Sequence, residues 1–292
     1  MLVLDGEPPT AALAFTPDGA WLVSLGGNGL AEMWSVPGGE RLHRWNPFAD
    51  PIHSLAVHPS GAFLLVTAGH RLGAIAAATG EVTFSVHAPA PLAFTRVLAA
   101  PSGAHVIAQV SDGRVRGFRF STARGDFDAL WEVPAEMGWL GQCAGAEDRF
   151  TTIDRNGLHV HSPDTGAVER TVKYPSNYVM TTAVSPDGSR LAVMGYEKLY
   201  VWDTATWGKP VRYACAGARR FGAMAFHPSR PLLATIQTGQ TLVKFFDTET
   251  WKLAARFAWK LGEMRAVAFS PDGTLAAAGS VTGKIVIWDV DG

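Results

Sequence analysis

Six short turns, spaced almost evenly, constrain this chain more than any other feature. Pro17, Pro59, Pro101, Pro186, Pro228 and Pro271 each sit between two short apolar runs, as in AALAFTPDGAWLVS from Ala11, IHSLAVHPSGAFLLV from Ile52 and AVAFSPDGTLAAAGS from Ala266. The gaps between these prolines are 42, 42, 85, 42 and 43 residues. The gap of 85 is two periods, so a degenerate copy belongs between them. It fits MGWLGQCAGAEDRFTTIDRNGLHV, Met137 to Val160. Seven copies of about 42 residues then account for the 292-residue protein.

Each copy reads as four short strands, here lettered a to d. Strand a alternates, with Val267 and Phe269 facing inward in the last copy. Pro presets φ for the a–b turn, and Asp-Gly supplies the left-handed position of a tight hairpin. Strand b is a run of small apolar residues such as Leu275 to Ala278. A second turn follows at Asn28-Gly29, Asp112-Gly113, Asn156-Gly157 and Thr282-Gly283. Strand c is apolar and aromatic, as in Lys284 to Trp288, and Thr79-Gly80 or Thr165-Gly166 turns the backbone into strand d. No segment of useful length has helical periodicity. Four strands in some forty residues make a propeller blade, so the sequence predicts an all-β, seven-bladed β-propeller. Each blade is a four-stranded antiparallel sheet, and residues 1–292 form a single domain.

The copies resemble the WD40 repeat family. The resemblance is carried by Trp202-Asp203-Thr204 and Trp288-Asp289-Val290, by the looser Phe246-Asp247-Thr248 and Trp34-Ser35-Val36, and by the Pro-Asp/Ser-Gly turns at this period. It is strong in copies 1, 5, 6 and 7, moderate in 2 and 3, and weak in 4. The family usually has a Gly-His pair before strand a. Its His joins the turn Asp, a strand-b Ser or Thr and the strand-c Trp in a buried network. Trp259-Lys260 stands there in the last copy, and no Gly-His occurs at the right place elsewhere. Most blades should therefore lack that network and rely on apolar packing, with ten Trp residues available. The last copy holds strands a, b and c only, and Leu2-Val3-Leu4 is a spare strand ahead of the first copy. The resemblance implies that this spare strand closes the ring as the outer strand of the last blade, beside Lys284 to Trp288, removing an exposed edge.

Composition narrows the function. Twenty-five basic and 26 acidic residues give a formal charge of −1, so no basic field favours nucleic acid or an anionic membrane. Two cysteines, Cys143 and Cys215, are too few for a disulfide framework. MLVLDGEPPTAALAF lacks the basic and apolar segments of a secretory signal, and no apolar run approaches the ~20 residues of a membrane span. These features predict a cytoplasmic protein. A pI near 6.8 with abundant Ala and Gly points to a bacterial one.

The chemistry-bearing residues mostly have structural readings. His58 and His227 replace Ser in the a–b turn. His159 and His161 share one face of a strand, but no third ligand accompanies them, so no metal is expected. Asp126 and Asp128 read as a solvated longer connection in copy 3. Gly26-Gly27-Asn28-Gly29 lies between strands b and c rather than before a helix, so it is a turn and not a phosphate loop. No catalytic motif is present, so the protein reads as non-enzymatic and without cofactor.

What remains is the face formed by the d–a and b–c connections, the usual binding surface of the resembling family. The starts of strand a place His53, Thr95, Trp139, Tyr178, Arg220, Glu263 and Arg265 there. The b–c turns add Arg155 and Tyr196, with His70, Arg71, Asp112, Glu197 and Gln240 beside them. This mixture of Arg, Tyr and Trp has the composition of interaction hot spots. The reading is a scaffold, monomeric by itself, presenting this face to a protein or peptide partner. A lactonase-like hydrolase with a channel-mouth metal is the competing reading, with Asp112, Glu197, His53 and Glu263 as its plausible contributors. A structural subunit of a larger complex, assembled through edges or the opposite face, is the third.

Overall fold

The computed structural model describes residues 1–134, 139–144, 148–176, 178–195, 198–214 and 221–291, apart from the side chains of 139, 142–144, 214 and 221. It contains seven four-stranded antiparallel sheets, and no helix occurs among the described residues. The fold is a seven-bladed β-propeller. The degenerate copy forms blade 4, with strands Trp139–Ala144, Arg149–Asp154, Gly157–His161 and Val168–Val172.

Two compact units are distinguished, Trp45–Asn177 and Met1–Arg44 with Tyr178–Gly292. The first carries blades 2, 3 and 4, and the second carries blades 5, 6, 7 and 1. Blade 2 runs through Ile52–Val57, Phe63–Ala68, Arg71–Ala76 and Val82–His87, in the order a-b-c-d shared by blades 1 to 6.

Blade 7 is completed from the other end of the sequence. Its strands Met264–Phe269, Leu275–Ser280 and Lys284–Asp289 are joined by Leu2–Asp5 on the outside. Leu2 pairs with Ile287, Val3 with Val286, Leu4 with Ile285 and Asp5 with Lys284. The Lys284 ammonium also pairs with the Asp5 carboxylate. Alternation puts Leu4 inward, where it is buried with Leu22, Trp34, Ile285 and Ile287, while Val3 faces solvent. The strand is followed by Gly6, whose N–H donates to Gly283 O at 3.0 Å. Gly283 has φ near +83°, and a Cβ there would collide with Gly6 O. Only glycine permits both the turn and this close approach.

The core lies between neighbouring sheets. Phe245, Ala276 and Trp288 pack across blades 6 and 7, and Leu65, Phe94, Phe118 and Phe120 across blades 2 and 3. The small residues of strand b are fully buried at Ala276, Ala277 and Ala278. They leave room for the aromatic side chains of strand c beside them. Each fully buried large side chain, such as Leu22 or Phe94, contributes about 1.5–3 kcal/mol.

Polar side chains stitch the a–b turn of one blade to the next. His58 of blade 2 reaches Gly103 O of blade 3 at 2.8 Å, and His227 of blade 6 reaches Gly273 O of blade 7 at 2.9 Å. Each histidine accepts backbone N–H groups on Nδ1, from Ser60 in the first case and from Ser229 and Arg230 in the second. Nε2 must therefore carry the proton and donate to the carbonyl. Burial holds both imidazoles below their ordinary pKa of 6.5. In blade 4 the turn proline is missing, and Asp148, at φ 56°, accepts Ser102 N and Ser102 Oγ from blade 3. His105 of blade 3 lies 3.2 Å from both Asp148 and Asp164 of blade 4.

One expectation changes. Asp126 and Asp128 are not in a connection but open strand d of blade 3, Asp126–Val133. Their i, i+2 spacing puts both carboxylates on one side, where Arg124 pairs with them at 3.0 and 2.9 Å. The Trp-hydroxyl part of the family network survives in blade 1, where Trp34 Nε1 donates to Ser24 Oγ at 2.9 Å in a buried setting.

Candidate functional site

Strand a does not pair regularly with strand b in most blades. In blade 2, Ile52 opposes Ala68 and Ser54 opposes Thr67, which leaves His53 as an extra residue. In blade 3, Phe94 opposes Val110 and Arg96 opposes Gln109, which leaves Thr95. In blade 7, Met264 opposes Ser280 and Ala266 opposes Gly279, which leaves Arg265. The same step leaves Ala11 in blade 1 and Gly222 in blade 6, and an irregularity lies between Leu140 and Cys143 in blade 4. Strand a of blade 5, Thr181–Val184, pairs without a break. A bulge interrupts the alternation and re-aims one side chain. Ala11, His53, Thr95 and Arg265 are accordingly exposed beside the buried Thr10, Ile52, Phe94 and Met264.

In the unit of blades 2 to 4, His53 and Thr95 therefore occupy equivalent bulges. Thr95 Oγ1 donates to Gln109 O at 3.3 Å, which tethers it to its own strand b. The same end of blade 2 carries His70 and His87, whose rings meet edge to face at 5.1 Å, and Arg71, whose guanidinium lies over Phe48 at 5.5 Å. Arg155 is exposed in the b–c turn of blade 4. Trp139 opens strand a of that blade, and its side chain lies outside the described residues.

In the other unit, Glu263 and Arg265 are brought together. Arg265 Nη2 stands 3.2 Å from Glu263 Oε1, with Glu263 half-buried just before strand a and Arg265 on the bulge. Val281 N donates to Glu263 O at 2.8 Å, which fixes this corner against the b–c turn of its blade. Nearby in blade 6, Lys244 Nζ donates to the buried Gln237 Oε1 at 2.8 Å. Tyr178 is 52% exposed ahead of strand a of blade 5. Tyr196 and Arg220, and with them Glu197, lie outside the described residues.

Two of the carboxylates considered for catalysis, Asp112 and Glu263, are ion-paired. Asp112 accepts Arg114 Nε at 2.6 Å and Arg114 N at 3.1 Å, and Glu263 is held by Arg265. His159 bonds Thr171 and Asp154, and His161 bonds Thr152 and Gly166 O. Among the described residues no three His, Cys, Asp or Glu side chains gather as metal ligands. The first unit thus sets an exposed imidazole and a hydroxyl on its strands, and the other sets an exposed guanidinium.

Comparison with known proteins agrees with this architecture. The family model for the WD domain, G-beta repeat, matches residues 258–289, which contain strands a, b and c of blade 7. Meiotic recombination protein rec14 of Schizosaccharomyces pombe is 30% identical over 161 residues, covering 50% of this chain and 52% of that protein. Echinoderm microtubule-associated protein-like 2 of Mus musculus is 29% identical over 170 residues, covering 55% of this chain and 24% of that protein. The matches thus span about half of one relative and a quarter of the other. With seven four-stranded sheets built on one repeated turn and strand pattern, and that pattern ending in Trp288-Asp289 inside a matched WD repeat, the protein is similar to divergent WD40 repeat proteins.

Proposed function

We propose that this protein is a non-catalytic interaction scaffold that reads a protein or peptide partner through the bulge residues of strand a. WD40 propellers in general serve as protein-binding platforms, and the two relatives carry names from unrelated processes, so neither process is transferred. The recurring bulge carries the reading. It sets His53, Thr95 and Arg265 outward at one register while the residue before each, Ile52, Phe94 or Met264, stays buried. Such positions can differ freely in side chain without altering the sheet. They hold Ala, His, Thr, Gly and Arg in five blades.

The test is affinity capture from source-cell lysate, with quantitative mass spectrometry, comparing wild type with His53→Ala/Thr95→Ala and with Arg265→Ala. A partner held by wild type and reduced about tenfold or more in a bulge variant, the loss of one hot-spot contact, is the expected result. Equal capture by all three proteins would move the interaction off this surface.

A further inference from the structure

A cleft lies at the end of the strands opposite the strand-a bulges, in the unit of blades 5, 6, 7 and 1. The a–b turns of blades 5 and 6 and the c–d turn of blade 6 enclose about 270 Å³ there. That is smaller than the ~300 Å³ at which pockets for drug-sized ligands begin. It suits one or two amino-acid side chains, and not a nucleotide. Pro186, Pro228, Pro231 and Phe226 give it rigid apolar walls.

The polar groups around it are nearly all engaged. The Asp187 carboxylate accepts Ser185 Oγ at 2.6 Å and Ser189 Oγ at 2.7 Å. Both Nη atoms of Arg230 are on Asp291, at 2.5 and 2.7 Å. His227 uses both ring nitrogens within the fold. Arg190 is different. Its Nη1 donates to Thr248 O at 2.6 Å, tying blade 5 to blade 6. Its Nε and Nη2 have no hydrogen-bond partner among the described residues; the exposed Asp203 carboxylate feels its charge but is not ion-paired with it. A half-buried guanidinium, anchored at one nitrogen and with its other donors open, presents a planar fork matched to a carboxylate. Glu249 lines the same space, and its exposed carboxylate has no partner among the described residues. It opposes a run of acidic residues but tolerates a single one beside the arginine.

We propose that this cleft is a second binding site, separate from the strand-a surface, that takes one peptide carboxylate on Arg190 with apolar flanking residues against the prolines and Phe226. An Asp or Glu side chain and the free C-terminus of a peptide offer the same group. The proposal stands on Arg190 and its surroundings and does not depend on the strand-a reading.

The full-length protein, labelled with ¹⁵N, is titrated with four peptides: blocked Pro-Glu-Pro, blocked Pro-Gln-Pro, and acetyl-Gly-Pro-Pro with a free or an amidated C-terminus. At least one carboxylate peptide should shift the amides of Ser189, Ser229 and Glu249 and the Arg190 side-chain N–H. It should bind about tenfold more tightly than its neutral counterpart. Whichever carboxylate peptide binds names the source. Arg190→Gln, which keeps a donor for Thr248 O, should lose about tenfold in affinity. Glu249→Gln, which breaks no bond of the fold, should tighten binding about two- to threefold, the scale of an exposed charge contact. Should Arg190→Gln fail to fold, Glu249→Gln carries the test. Equal binding of charged and neutral peptides, shifts confined to other surfaces, or an unchanged affinity in the folded variants would overturn the proposal.

Discussion

Two tryptophans at the same place in their blades differ by one hydroxyl, and this difference is a measurable stability. Trp34 opposes Leu22 across strands c and b of blade 1, and two residues further along strand b Ser24 Oγ accepts the indole N–H. Trp288 opposes Ala276 in blade 7, and the residue two further along is Ala278, which is fully buried. Trp288 is 4% exposed, and its Nε1 has no hydrogen-bond partner among the described residues. Ser24→Ala leaves the buried Trp34 indole unsatisfied and should cost about 1–3 kcal/mol. Ala278→Ser adds one oxygen on the face Trp288 occupies and should stabilise by about 0.5–1.5 kcal/mol. For a protein of this length that is a rise in Tm of about 2 °C per kcal/mol. Ala277→Ser is the control. Its side chain joins the cluster of Leu4, Ile287 and Trp34, whose indole N–H is already given to Ser24 Oγ, so an added hydroxyl gains no unpaired donor and should destabilise. The assay is urea unfolding followed by tryptophan fluorescence, with the three variants beside wild type. Ala278→Ser no better than Ala277→Ser would refute the reasoning. It would mean that the Trp259 ring, 4.5 Å from Trp288, already receives the N–H on its face.

Three other perturbations follow from the same structure. Leu4→Ala should cost about 2–5 kcal/mol, and removal of residues 1–6 should lower Tm by more and expose the edge of Lys284–Asp289, both read by thermal unfolding and light scattering. Gly283→Ala should destabilise by about 1 kcal/mol or more in the same assay, since the left-handed φ and the close approach of Gly6 O both oppose a Cβ. Because burial holds His58 and His227 below 6.5, the unfolded protein binds more protons than the folded one beneath that pH. Stability is then at its full value above pH 6.5 and falls as pH drops below it, and a His58→Gln/His227→Gln variant should flatten that part of a Tm–pH profile.

What was legible in the sequence was local. Pro17, Pro271 and their equivalents announce turns through φ alone, and small residues such as Ala276 to Ala278 beside Trp288 announce strands that pack closely. The completion of blade 7 by Leu2–Asp5 followed from the family resemblance and a missing strand, and the register agrees. The bulges were not legible. Ala11, His53, Thr95, Gly222 and Arg265 share a position but no chemistry, because a bulge is set by where the neighbouring pairs lock. His53, Thr95 and Arg265 were thus found as loop-face residues without the device that turns them outward. The seams were hidden for a related reason. His58 looks like a turn residue locally, and its partner Gly103 is 45 residues away. Arg190 gave no signal at all, since its role depends on Thr248, 58 residues on.

The strand that completes blade 7 also has a consequence in time. Asp5 and Lys284 are 279 positions apart, and loop closure over such a distance carries an entropy cost that only the finished sheet repays. During synthesis the first strand emerges long before its partner exists. Leu2 to Asp5 must wait, with Leu4 uncovered, while the intervening blades are made and folded. Blade 7 should therefore be the last sheet to form and the slowest step of folding, as contacts of high sequence separation generally are. A nascent polypeptide halted before Lys284 should leave residues 1–6 open to a protease or a chaperone that the released protein excludes.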